Sequence, residues 1–333
     1  INDLPSGLSW SLLGQFGSLT MDIDGALRDP LELDGLQSNL AIAGDNLNLV
    51  ARWLGVHSLP AERFKFEGRI NREGQQLQLR GVELKLGEAR LLVNATAPYF
   101  PDMRDLQLNA SLDGPSFAPF REMLGLQGEV DVPFELDMAI NAQPDALAIL
   151  NSSLQFEGSR LTVSGPLGDQ PGFVGSELRL EFEGDNLADL LAEIGVKDGP
   201  ALPFQGDGLV RTTSPNKLQI TESRLALSGL LIQLSGEVND LATLDDNELW
   251  ISMNTPSLGN SLRQFGQRGL PQLPASVDAR LHGPLATPTI DGLEIQLGDA
   301  RLDVEGAIQV FPTLSIVEAK LRGEVPGPVA WLP

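Results

Sequence analysis

The stretch GDNLADLLAEIGVKDGPALPFQGDGL, Gly184 to Leu209, carries three signals in succession. Leu187, Leu190, Leu191 and Ile194 fall at i, i+3, i+4 and i+7, the spacing of one helix face. Asn186 stands where an N-cap belongs and Gly195 where a left-handed C-terminal stop belongs. The Leu202-Pro203 step then blocks further helix and biases its neighbour toward extended backbone, ahead of FQGDGLV.

The same order of signals returns along the chain. Leu-Pro or Val-Pro steps lie at Leu59-Pro60, Val132-Pro133, Leu202-Pro203 and Leu273-Pro274, with prolines 73, 70 and 71 residues apart. Before them come NLNLVARWLGV, SFAPFREMLGL, NLADLLAEIGV and SLGNSLRQFGQ, whose glycines Gly55, Gly125, Gly195 and Gly266 are 70, 70 and 71 apart. Self-similarity at a fixed period is the mark of a repeat architecture. The expected division is a partial copy over 1–58 that ends in a helix, copies over 59–131, 132–201 and 202–272, and a final partial copy over 273–333, in one continuous array. Each helix is expected to run about three turns. Trp53 and Leu54 give the apolar face of the first, and Phe117, Phe120 and Leu124 that of the second; Ser116 and Ser257 are further N-cap candidates.

The chain after each of these prolines alternates with period two, the pattern of a half-buried strand. KFEGRI, FELDMAI, FQGDGLV and ASVDARL open the copies; LQLNASL, LRLEFEG and LWISMNT close them. The long second strand changes parity midway, from Leu77 and Leu79 to Val82, Leu84 and Leu86. The same offset separates Ile149 from Leu154, Ile220 from Leu225 and Ile290 from Leu293, as an extra bulge residue would require. GSLTMDIDGAL, near the start, reads as the third strand of a truncated copy. The expected fold is mostly β: an elongated, curled antiparallel sheet, groove- or taco-like, of ~71-residue copies with four strands and one short helix each. Four strands at about 4.8 Å advance such a sheet roughly 19 Å per copy.

Composition narrows the chemistry. The chain has 333 residues, 42% hydrophobic and 20% charged, as expected for folded protein. A formal net charge of -22 repels phosphate backbones, so nucleic acid is excluded as an expected partner. There is no cysteine, hence no disulfide framework, thiolate site or cysteine nucleophile. No run of about 18 apolar residues spans a bilayer. The start, INDLPSG, and the end, GPVAWLP, read as cuts within a longer protein. His57 and His282 are far apart at loop-like positions, and Asp245-Asp246 is an acidic pair in a turn. Convergent carboxylates across a groove can hydrolyse glycosides, but nothing in the spacing brings a pair together. No enzyme activity, cofactor or metal site is expected.

The N-L-x-x-L-L helix, the Leu-Pro step, and the strand pairs LQLRGVELKLGEARLLVNA (Leu77 to Ala95) and LEIQLGDARLDVEGAI (Leu293 to Ile308) together resemble the AsmA-like proteins of Gram-negative envelopes. That family is similar in outline to the bridge-like lipid transfer proteins. The resemblance covers nearly the whole chain. It implies a periplasmic segment of a parent protein held in the inner membrane by an N-terminal helix absent from this sequence. A hydrophobic β-groove would carry phospholipid or other acyl lipid between inner and outer membranes, with an outer-membrane partner protein as a further expectation. The candidate lining is Leu84, Leu86, Leu91, Val93, Leu106, Leu108, Leu161, Val163, Leu178, Leu180, Phe182, Leu225, Leu227, Leu249, Ile251, Ile295, Leu297, Leu302 and Val304. Two other readings stand beside it. The same positions could form an ordinary closed core, and the sheet edges could pair with client strands, making the chain an interaction scaffold in outer-membrane biogenesis.

Overall fold

Alternating runs become strands, and the short polar or glycine pairs between them become tight turns. The computed structural model describes residues 7–29, 34–48, 62–102, 104–116, 132–143, 146–156, 158–168, 173–189, 201–240, 246–263, 269–284, 289–309 and 315–324. Several turns open on a glycine at positive φ, among them Gly17 (62°), Gly74 (58°), Gly87 (57°) and Gly298 (58°), as hairpins with right-handed strand twist require. Nineteen strands form one antiparallel sheet that is not closed into a barrel. Every described register joins strands adjacent in sequence.

The chain divides into two compact units, Ile1–Ser164 with Ala192–Val196, and Gly165–Leu191 with Lys197–Pro333. The first contains β1 (Leu8–Phe16), β2 (Leu19–Leu27), β3 (Leu36–Gly44), β4 (Phe64–Glu73), β5 (Gln76–Leu86), β6 (Ala89–Ala97), β7 (Gln107–Gly114), β8 (Phe134–Gln143) and β9 (Ala146–Phe156). The boundary falls within β10 (Ser159–Leu167). The second contains β11 (Glu177–Gly184), β12 (Phe204–Ser214), β13 (Lys217–Leu227), β14 (Leu230–Val238), β15 (Asn247–Thr255), helix α1 (Leu258–Arg263), β16 (Ala275–His282), β17 (Thr289–Leu297), β18 (Ala300–Gln309) and β19 (Ser315–Glu324).

Equivalent bonds recur at fixed intervals. Leu47, Leu187 and Leu258 each donate a backbone N–H to a carbonyl fifteen residues on, those of Glu62, Leu202 and Leu273, at 2.8 to 2.9 Å. The turn glycines Gly87 and Gly298 donate to Arg63 and Pro274, each 24 residues back, at 2.9 and 2.8 Å. The three leucine bonds tie the start of their helical segments to the chain entering the next strand. They also satisfy donors that a helix start leaves without an intrahelical partner.

Large and small residues are paired across strands. Phe64 lies opposite Gly44, Phe134 opposite Gly114 and Phe204 opposite Gly184. A Cβ on Gly44 or Gly114 would meet its phenylalanine ring at 2.9 or 3.1 Å. At the next equivalent pair both members change, to Thr255 and Ala275, and the Thr255 hydroxyl bonds Ser261 of α1 at 2.6 Å.

Register shifts fall at all four parity changes: Leu79/Val82, the Asp137/Ile140 step opposite Ile149 to Ser153, Ile220/Ser223 and Ile290/Gly292. Gly81 (φ 56°) and Glu222 (φ 54°) occupy equivalent bulge positions in the left-handed region.

The helices differ from expectation in detail. Asn186 caps as its position suggested, accepting the Ala188 N–H at 3.1 Å. Ser257 does not use its hydroxyl in this way. That group donates to Gln272 at 2.6 Å, and the first α1 donors go to the carbonyls of Leu273 and Pro271 instead. Phe117, Phe120, Leu124, Trp53, Leu54, Leu190, Leu191 and Ile194 lie outside the described residues, as do His57 and Asp245.

Candidate functional site

Directly paired residues of an antiparallel sheet share a face, so the registers sort side chains without ambiguity. In the first unit, one rung runs Met21, Ile42, Phe66, Leu84, Leu91, Leu112, Leu136, Leu154. In the second, the equivalent rung runs Phe182, Gly206, Leu225, Ile232, Met253, Val277, Ile295, Leu302. Each unit therefore presents an apolar face several rungs deep. The bulges keep it continuous: without them Leu77 and Leu79 would point away from Val82, Leu84 and Leu86.

Burial on this face runs opposite to that of a two-layer protein. Leu19, Phe64, Leu86, Ala89 and Phe134 form a buried cluster in the first unit; Leu187, Phe204 and Leu227 form one in the second. Apart from Val304, every buried apolar strand residue sits at the first or last apolar position of its strand. The middle rungs, including Leu84, Leu91, Val93, Leu225, Ile232 and Ile251, are only half-buried. Among the described residues no large side chain falls below 2% exposure. A second layer would bury the middle most; here the ends are buried and the middle is partly open.

The candidate lining residues map onto these faces. Leu84, Leu86, Leu91, Val93 and Leu108 share the apolar face of the first unit, with Leu106 just before β7, its carbonyl accepting the Ala142 N–H at 2.8 Å. Leu178, Leu180, Phe182, Leu225, Leu227, Leu249, Ile251, Ile295, Leu297, Leu302 and Val304 share that of the second. Leu161 and Val163 occupy alternate, half-buried positions of β10. Leu86, Leu227, Leu249 and Val304 differ from the rest in being buried.

The opposite face is charged. Lys65 pairs with Lys85 and Glu67 with Glu83 in register, and the like charges are relieved along the strands by Lys65–Glu67 at 2.8 Å and Lys85–Glu83 at 3.4 Å. Arg90 adds a contact to Glu83 at 2.9 Å. Burial opposes ionisation of Glu83, yet the charges of Arg90 and Lys85 hold its carboxyl below the usual range. Such exposed pairs contribute little stability, about 0–1 kcal/mol each.

Two features outside the apolar face were missed by sequence reasoning. Trp250 lies 45% exposed among charged neighbours; its off-phase position between Leu249 and Ile251 in NELWISMNT was the available signal. Asp34 accepts the Gly74 N–H at 2.6 Å and Arg28 at 2.6 Å, a loop contact that no periodic pattern marks. His282 lies 2.8 Å from Asp291, both exposed. No metal-type cluster of His, Cys, Asp and Glu occurs among the described residues, and no described helix is long and apolar enough to cross a membrane. The chain matches no protein-family model and no curated protein sequence.

Proposed function

We propose that this chain is a periplasmic segment of a bridge-like lipid transport protein, of the kind its AsmA-like motifs suggest. In this reading, ~71-residue copies build a curled sheet whose apolar face holds phospholipid acyl chains on their way between inner and outer membranes. One observation carries it: an apolar face whose middle rungs stay half-open while its ends are buried. Soluble proteins seldom leave a contiguous apolar surface beyond a few hundred square ångströms without a use for it.

The mechanism is passive. Each acyl methylene buried against Leu, Ile and Val is worth roughly 0.8 kcal/mol, so a chain of them is held firmly even after the entropic cost of association. Equivalent rungs carry similar residues, as Leu84 and Leu225 or Leu91 and Ile232 do. A lipid that moves one copy along exchanges like contacts for like, and no single site traps it. Direction then comes from a gradient or a partner.

The test is organic extraction of protein purified without detergent, with lipid mass spectrometry of the extract and an equally acidic soluble β protein as control. Stoichiometric phospholipid above control supports the reading; none refutes it. A second reading, a scaffold that takes up client strands, is favoured by β1. Its described register is with β2, and its Leu13 and Phe16 are 81% and 71% exposed. Extraction without lipid, combined with strand addition detected at β1 by amide exchange, would establish it instead.

A further inference from the structure

On the face of the first unit opposite the apolar one, six neighbouring strands place uncharged polar residues in a single row. Gln37 pairs in register with Asn71, Asn71 with Gln78, Gln78 with Thr96, Thr96 with Gln107 and Gln107 with Asn141. Ala26 and Ser9 continue the row past Gln37, and Ala148 past Asn141, so it crosses nine strands without a charged residue. Opposed polar side chains in a sheet gain by bonding one another or by matching charges. Here none of the six makes a side-chain hydrogen bond with a described residue, and all are exposed or half-buried. A cavity of about 490 Å³ lies at the β1 end of the row, with Ser9, Gln37, Asn71 and Gln78 among its walls. Arg28, Arg72 and Glu73 also line it; Arg28 is held by Asp34 at 2.6 Å, and Arg72 lies 5.6 Å from the Phe100 ring centroid. The corresponding row of the second unit is built differently, running Glu177, Arg211, Gln219, Glu237, Glu248, His282. There every ionisable member is paired: Glu177 with Arg211 at 2.8 Å, Glu237 with Lys217 at 3.6 Å, Glu248 with Arg280 at 3.7 Å and His282 with Asp291 at 2.8 Å.

We infer that the row in the first unit binds an extended neutral glycan, laid across the strands. Each amide side chain offers both donors and an acceptor, and the hydroxyls of a sugar ring need both. With strands about 4.8 Å apart, the row from Gln37 to Asn141 extends about 24 Å and presents a fresh amide or hydroxyl at every step. That regularity suits a chain of like units more than a single small molecule. The missing charges point the same way. An ionic chain would lie along the row with its own charges unmatched, and a polyanion is opposed further by the net charge of -22. Arg69 and Arg80 face each other on the next row inward, so an acidic chain is the rival to exclude. The row lies on the face opposite the apolar one and does not rest on the lipid reading.

Isothermal titration of the full chain with cellohexaose tests the inference, with cellobiose as the short arm and hexagalacturonate as the acidic arm. The expected result is saturable binding of cellohexaose, at least about tenfold tighter than either of the others, because only a long neutral chain meets the whole row. Gln78→Ala should weaken it about three- to tenfold, the loss of one or two hydrogen bonds. Gln219→Ala, at the corresponding place in the second unit, should change nothing. Thr96→Glu gives the row a carboxylate where the second unit carries Glu237, a place where the sheet accepts one, and should weaken binding at least about tenfold at an unchanged melting temperature. If Thr96→Glu melts early, Gln107→Glu, matching Glu248, and the two glutamine-to-alanine variants carry the test. No saturable binding of cellohexaose, tighter binding of hexagalacturonate, or binding indifferent to both Gln78 and Thr96 overturns the inference. So does self-association in sedimentation that Thr96→Glu abolishes, since a second copy would then occupy the row.

Discussion

Leu225 and Leu227 lie two residues apart on β13, share its apolar face, and differ in cover: Leu227 is 3% exposed in the buried cluster, Leu225 half-buried on the next rung. Truncating each to alanine measures whether the middle of the face is open. Leu→Ala removes three carbons, each worth about 0.8 kcal/mol when buried, or about 2.4 kcal/mol of transfer free energy. At Leu227 the packed surroundings add a cavity cost, so about 3 kcal/mol is expected. At Leu225 most of the transfer term applies, but the space opens to solvent or ligand and adds no cavity cost, giving about 1.5 kcal/mol. The expected gap is about 1.5 kcal/mol. Urea unfolding followed by fluorescence in a background where Trp10, Trp53 and Trp331 are replaced by phenylalanine, so that Trp250 alone emits, reports the second unit, with the slope compared between variants because an extended array of hairpins need not unfold in one step. A short-chain phospholipid below its micellar threshold should then raise the wild-type midpoint, as any ligand of the folded state does. Equal losses of about 3 kcal/mol at both positions would mean a closed second layer over the face, and the lipid reading would fail with it.

Named contacts fix three further outcomes. Glu222 holds φ 54° at a bulge where the equivalent residue is Gly81, so Glu222→Gly should raise the melting temperature, the left-handed cost of about 1 kcal/mol exceeding glycine's added entropy loss; Gly81→Ala should lower it. A Cβ at Gly206 would meet the Phe182 ring and, at 2.5 Å, the Arg224 carbonyl oxygen, so Gly206→Ala should cost about 1–3 kcal/mol in urea unfolding. The Asp34 carboxyl is held below the usual range by the Gly74 N–H first and by Arg28 second. Its folded pKa is depressed, so its contribution is present above the unfolded value, about 4, and is lost as pH falls through the folded one. Gly74 amide protection should therefore weaken on acidification below that value, and Asp34→Asn should remove the pH dependence.

The strands and their bulges were legible because each rests on local pattern. Alternation gives the face, and a parity change such as Leu79 to Val82 can keep that face only by inserting a residue. Helix starts were legible in part. Asn186 could be read as a cap from its position, whereas Ser257 could not be excluded, because the competing acceptors at Pro271 and Leu273 arrive from a returning segment. The lining set was legible as a face, since register derives from alternation. The buried state of Leu86 and Leu227 was not, because cover at the strand ends depends on tertiary contact. Trp250 went unmarked because attention to the apolar phase discards what falls between; an aromatic at the charged phase is the signal to seek.

Pairing confined to neighbours in sequence has a consequence for how such a chain comes into being. No described strand waits for a distant segment, so each rung can form as soon as the next stretch of chain is available. A polypeptide threaded end-first through a narrow pore could thus assemble progressively on the far side, each new hairpin templated by the last, with short loop closures throughout. A chain ended after β7 should accordingly retain slow amide exchange in β3 to β6, and loss of that protection would show that later strands are needed after all.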